Sequence, residues 1–189
     1  TGSGDLVRVY DVDGVEHGHF GAPFTTISPL AASSLSRARM ACFNSPKSLG
    51  RVVLLSEVFP LIRSYDITGK LIWERELKGF TPVRVEAPSR DRVRLRPPPA
   101  GFADVGVFVA PVSPSLILVQ VRRDTARSRS SPGSSSYRGY IVAMLDGQTL
   151  ATLELPVPLL GTGRGAVFSE GQAPDEVVVW KIQSPEETP

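Results

Sequence analysis

His17 and His19 are the only histidines in the chain. Two positions apart, they share one face of a strand, a spacing that lets two imidazoles reach a single metal ion. No cysteine, aspartate or second histidine pair is expected to join them at a metal, so they read as exposed strand residues. A Ser-His-Asp triad would have to use one of the two, and no Gly-x-Ser-x-Gly elbow is present. Asp11-Val12-Asp13-Gly14 opens like a calcium loop. The later oxygen ligands and the closing glutamate of such a loop are missing, and a tight hairpin turn accounts for the same residues. Gly161-Thr162-Gly163-Arg164-Gly165 lacks the Lys-Ser or Lys-Thr and the following helix of a phosphate cradle. It reads as a flexible connection. Cys42 is the single cysteine, so no intrachain disulfide forms. In the run Ala38–Phe43 it reads as a small buried strand residue. No metal and no cofactor are expected, and no catalytic residue is assigned.

Arginine supplies the remaining candidates. Arg92, Arg94 and Arg96 alternate with Val93 and Leu95, which puts three guanidinium groups on one face of a strand. Arg122, Arg123, Arg127, Arg129 and Arg138 surround a Ser-rich stretch. Arg92, Arg94, Arg96, Arg122 and Arg123 are the weak candidates for binding a small anionic ligand or a protein. Glu86, Asp91 and Asp124 dilute their field, and no aromatic residues interleave with them as single-strand binding favours. With a net charge of +2, the chain is no polycation and no nucleic acid is expected. Solvated surface is the plainer reading of these arginines.

These side chains need a scaffold, and composition supplies one class of it. At 189 residues, 41% hydrophobic and 21% charged, the chain can build one sizeable core or a block of stacked repeats. No apolar run approaches the ~20 residues that span a bilayer as a helix. Lysine occurs only at Lys47, Lys70, Lys78 and Lys181. Abundant Arg, Pro, Ala and Gly beside so little lysine suggests a GC-rich bacterial genome. β-Branched residues dominate the apolar runs, and 17 Gly and 17 Pro interrupt the chain too often for long helices, so the expected class is all-β.

One hairpin unit recurs. Tyr10-Asp11-Val12-Asp13-Gly14 and Tyr65-Asp66-Ile67-Thr68-Gly69 each join two β-patterned runs. Leu145-Asp146-Gly147 is a looser copy, without the tyrosine and with a turn read as shorter. Val52–Leu55 and Leu116–Val121 are unbroken apolar runs, as in strands covered on both faces. The organisation read from this is an outer hairpin at 5–21, a four-stranded blade at 37–79 and a second at 83–156. A mobile Ser/Arg-rich loop interrupts the second at 122–136, a partial last blade occupies 157–183, and 184–189 is a polar tail.

The unit Tyr65-Asp66-Ile67-Thr68-Gly69-Lys70 with Trp73 and Leu77 resembles the repeat of bacterial six-bladed β-propellers, a loose group that includes the NHL-repeat and TolB-like proteins. Tyr10–Gly14 matches the same unit, and Glu176–Ile182 looks like a closing blade. The resemblance implies β-propeller blades, each a four-stranded antiparallel sheet. A closed ring needs about four to eight such blades, so the chain is expected to be the C-terminal portion of a larger propeller, with further blades upstream. It implies a non-catalytic ligand- or protein-binding segment, with a periplasmic or secreted bacterial location. Lactonase-like hydrolases share the resemblance, with site residues then expected upstream. Thr68-Gly69 followed by Trp73 is similar to a quinoprotein signature, although Asp66 lies one residue too close; Trp73 is therefore read as a packing residue.

Overall fold

The computed structural model describes residues 5–24, 32–33, 35–45, 48–89, 92–125, 136–163, 166–171, 173 and 176–181. These form antiparallel sheets in chain order, as the all-β reading expects. The N-terminal hairpin is β1 (Val7–Tyr10) and β2 (Glu16–Phe20). The first four-stranded sheet follows as a meander: β3 (Ala38–Ser45), β4 (Ser48–Ser56), β5 (Leu61–Asp66) and β6 (Leu71–Glu76). β7 (Arg84–Ser89) and β8 (Arg92–Arg96) pair with each other. The second meander is β9 (Phe102–Ser113), β10 (Leu116–Thr125), β11 (Ser136–Ala143) and β12 (Thr149–Leu155). A three-stranded sheet ends the series, with β13 (Leu159–Gly163), β14 (Ala166–Glu170) and β15 (Val177–Lys181).

The apolar runs show why the sheets stack. On β4, Val53 and Leu55 face the second meander, whereas Leu54 packs with Val7, Phe20 and Tyr65 beneath the N-terminal hairpin. On β10, Ile117, Val119 and Val121 face the first meander, and Leu118 packs with Leu159 and Val167 of the last sheet. Both strands are covered on both faces, so an alternating polar pattern would place polar groups in a core. Each aliphatic side chain buried this way contributes about 1.5–3 kcal/mol. The two meanders and the last sheet also meet along their first strands: β9 lies against β3 and β4, and β13 against β9. That approach is close at Gly106, where any Cβ would collide with the Ser56 carbonyl oxygen, and the Gly106 N–H donates to the Glu57 carbonyl at 2.9 Å.

Four expectations are corrected. Residues 84–96, assigned to the second blade, form a two-stranded sheet of their own. Pro97-Pro98-Pro99 offers no N–H to continue a ladder, and Val85 and Leu95 bring too little apolar surface to join a core. Gly161–Gly163 is no loose connection but part of β13, paired with β14. Arg122 and Arg123 belong to β10, not to the Ser/Arg-rich loop; Arg127, Arg129 and most of that loop lie outside the described residues, as does the tail. Cys42 is in a strand but exposed, because Ala41 and Phe43 on either side take the core-facing positions.

Candidate functional site

The Asp-Gly corners are built as turns and not as cation sites. At the first, Asp11 Oδ1 accepts the N–H groups of Asp13 and Val15, both at 2.9 Å. At the second, Asp66 Oδ1 accepts the N–H groups of Thr68 (2.9 Å) and Lys70 (3.0 Å) and the Thr68 hydroxyl at 2.6 Å. Asp146 Oδ1 accepts only the Gln148 N–H, at 3.0 Å. The Thr68 hydroxyl and the Lys70 N–H hold the Asp66 carboxyl below its ordinary range. The Val15 N–H and His17 do the same for Asp11. His17 Nε2 lies 2.7 Å from Asp11 Oδ2, and His19 pairs with Glu16 and Asp5, so each imidazole faces carboxylates within its own hairpin. Among the described residues, no three or more His, Cys, Asp or Glu gather where they could hold a metal ion.

All three hairpins share one register. Tyr10 pairs with Glu16 and Val9 with Gly18; Tyr65 pairs with Leu71 and Ser64 with Trp73; Val142 pairs with Thr149 and Ile141 with Ala151. Each therefore skips one residue at the same step, counted two and four positions after the turn glycine. The third turn is one residue longer than the others, not shorter: Gly147 bonds back to Ala143, whereas Gly14 and Gly69 bond back to Asp11 and Asp66. Gly147 has a φ of 75°, and a Cβ there would lie 2.6 Å from the Trp73 ring. The turn of one sheet thus seats on the outer strand of the sheet before it. Trp73 is 6% exposed, and its Nε1–H donates to the Met144 carbonyl at 2.9 Å, which makes it a packing residue.

The arginine candidates are not brought together. Arg92, Arg94 and Arg96 lie on β8, Arg122 and Arg123 on β10. Consecutive positions on a strand send Arg122 and Arg123 to opposite faces. Arg122 forks onto Asp124 at 2.6 and 3.0 Å, a bond that strengthens its hold on its proton. Arg123 reaches the buried Asp104 at 3.1 Å and stacks over Phe102. Arg96 pairs with Glu86 at 3.1 Å, and Arg94 stands across the ladder from Glu86. Four of the five guanidinium groups therefore have a carboxylate beside or opposite them, which weakens any field for an incoming anion.

Sequence reasoning missed the surfaces at the two ends of the stack. On β3, Met40 (54% exposed) and Cys42 are left outside the cluster that the N-terminal hairpin forms with Ala38 at the start of β3, Val52 and Leu54 of β4 and Tyr65 of β5. On the last sheet, Val177 and Val179 are both more than half exposed, on the face turned away from the second meander. Between that meander and the last sheet lies an apolar groove of about 290 Å³. Leu118, Ile141, Leu153, Leu155, Val167 and Trp180 line most of it, with Lys181 at its rim. The alternation Val177/Val179 was readable in the sequence; that both stay more than half exposed was not.

No helix among the described residues is long and apolar enough to cross a membrane. No protein-family model, no curated protein and no solved structure matches this chain.

Proposed function

We propose that the chain is a non-catalytic, protein-binding segment of a β-propeller, a row of blades whose end faces are covered by further polypeptide. The observation that carries this reading is the bare stretch of β3, the first strand of the first meander. A two-stranded hairpin with the register of an outer blade hairpin covers β4, β5 and Ala38 at the start of β3. Met40 and Cys42 stand where the inner strands of that same sheet would pack. The meeting of β3, β9 and β13 along one side supports the radial order of blades about an axis. The carboxylates facing Arg94, Arg96, Arg122 and Arg123 favour a protein partner over a small anion.

The test is sedimentation over about two decades of concentration, with Cys42 thiol labelling read in parallel. Reversible association that shields Cys42, and that Met40→Glu abolishes, is the expected result. A monomer throughout, with Cys42 labelled equally fast at every concentration, overturns it.

A further inference from the structure

We propose that the groove and the open edge of β15 together receive one extended, alternately apolar strand from another protein, laid antiparallel to β15 as a fourth strand of the last sheet. The proposal rests on the blade reading above. The molecule itself shows what belongs in this place, because it contains the filled version. Four and six positions after Gly69 stand Trp73 and Arg75 on β6, and eight positions after it stands Leu77, just past the strand's end. The Gly147 turn of the following sheet seats on Trp73 and Arg75, and Trp73 and Leu77 are 6% and 2% exposed. The same count from Gly147 on β12 gives Ala151, Leu153 and Leu155. The pairing registers of the two hairpins agree at the first two positions, and the Leu77 N–H extends the match by donating to the Pro60 carbonyl at 2.8 Å, so the residues are equivalents. Arg75 is exposed, as Leu153 is (43%), but Ala151 is exposed where Trp73 is buried and Leu155 is half-buried where Leu77 is buried; among the described residues the sheet that follows has three strands.

The edge itself is fit for pairing. Val177-Val178-Val179-Trp180 carries no charge, and Lys181 stands only at its end. Charges, prolines and bulges are the usual protection of an exposed edge; this strand has no proline and no bulge, and its one charge, Lys181, is its last residue. Trp180 is fixed as a wall of the groove by its Nε1–H donating to Ser169 Oγ at 2.8 Å. An incoming strand therefore gains main-chain bonds from β15 and apolar contacts from Leu153, Leu155 and Trp180, the mode of β-strand addition. Its chemistry follows: about five residues, apolar at alternate positions facing the groove, polar between them, with an acidic residue opposite Lys181.

Two other occupants fit less well. Residues 182–189 hold one apolar residue, Ile182, and two prolines. A second copy pairing β15 with β15 would bring a whole three-stranded sheet. The overhang of a four-stranded sheet beyond a three-stranded one is one strand, about 4.8 Å, wide.

The probe is a synthetic peptide of residues 145–156, the chain's own outer strand, titrated into the intact protein. Amide hydrogen exchange across β15 is expected to slow at least tenfold at saturation. Leu153→Glu in the protein, or Leu153→Ser with Leu155→Ser in the peptide, is expected to weaken binding at least tenfold. The peptide changes cannot disturb the protein's fold, so they decide the matter if Leu153→Glu unfolds it. Unchanged exchange at β15, or peptide effects confined to β1–β3, overturns the proposal. So does a dimer protected at β15 that the peptide cannot displace. Met40→Glu is expected to leave peptide binding intact. Loss of self-association with retained peptide binding, or the reverse, separates a failure here from a failure of the blade reading.

Discussion

Asp66 works through one oxygen that gathers two N–H groups and a hydroxyl, and this makes the corner sensitive to protonation. Its carboxyl is held below the ordinary range, first by the Thr68 hydroxyl and then by the Lys70 N–H. A folded pKa below the unfolded one means that the stabilisation is complete above the unfolded value, about 4. It is lost as pH falls through the lower folded value. Asp66→Asn keeps an acceptor but not the charge. The expected result is a variant less stable than the parent at pH 7, with the gap closing as pH drops below about 4. Urea midpoints of the two proteins measured from pH 7 to acid check this, and a gap constant with pH would show that the charge is not what holds the turn. The sequence made these corners legible because Asp and Gly have few other reasons to recur at that spacing. It did not make Cys42 legible. Its strand was readable, but which face of that strand is covered depends on a neighbouring sheet and not on local pattern.

At the level of strands and sheets, the unbroken apolar runs named the two most buried strands, β4 and β10, because double coverage leaves its mark in composition. The separate β7–β8 hairpin and the strand β13 were not legible. The first has the alternation of any outer strand, and Gly161 and Gly163 in the second mimic a loop. Besides the apolar packing of Leu159, a side chain in another element ties β13 to the molecule. Gln120, fully buried on β10, donates from Nε2 to the Val157 carbonyl at 2.9 Å and accepts the Leu159 N–H on Oε1 at 2.9 Å. Its amide thus replaces a piece of ladder across the crossover from the second meander to the last sheet. Gln120→Met has similar volume and removes both bonds. Leaving the buried Leu159 N–H without a partner costs about 2 kcal/mol, roughly a thirtyfold change in a local opening equilibrium. Hydrogen exchange should then accelerate by about that factor in β13 and β14 while β3–β6 keep their protection. Uniform acceleration across the molecule would mean that Gln120 serves the whole core and not this one junction.

Apart from the β7–β8 hairpin, the sheets form a series in which each packs on the next, and this shapes both the stability and the use of the molecule. The largest apolar cluster lies between the two four-stranded sheets, from Phe43, Val53 and Trp73 on one side to Ile117, Val119 and Tyr140 on the other. The clusters towards the N-terminal hairpin and the last sheet are smaller, and each of those end units is covered on one face. Nearest-neighbour stacking of this kind makes stability close to a sum of sheet and interface contributions. The end units are therefore expected to open before the centre, in separate steps. Trp73→Ala strikes the central interface, where removing a buried Trp side chain costs about 3–5 kcal/mol. In the parent protein, exchange under increasing denaturant should release β1–β2 and β13–β15 first and β4 and β10 last. In Trp73→Ala the central strands should lose that lead and open together with the ends. Simultaneous opening of every sheet in the parent would mean that the stack behaves as one cooperative body. Its ends would then be no more available to a partner than its centre, and the case for binding at the uncovered faces and at the open edge of β15 would lose its energetic basis.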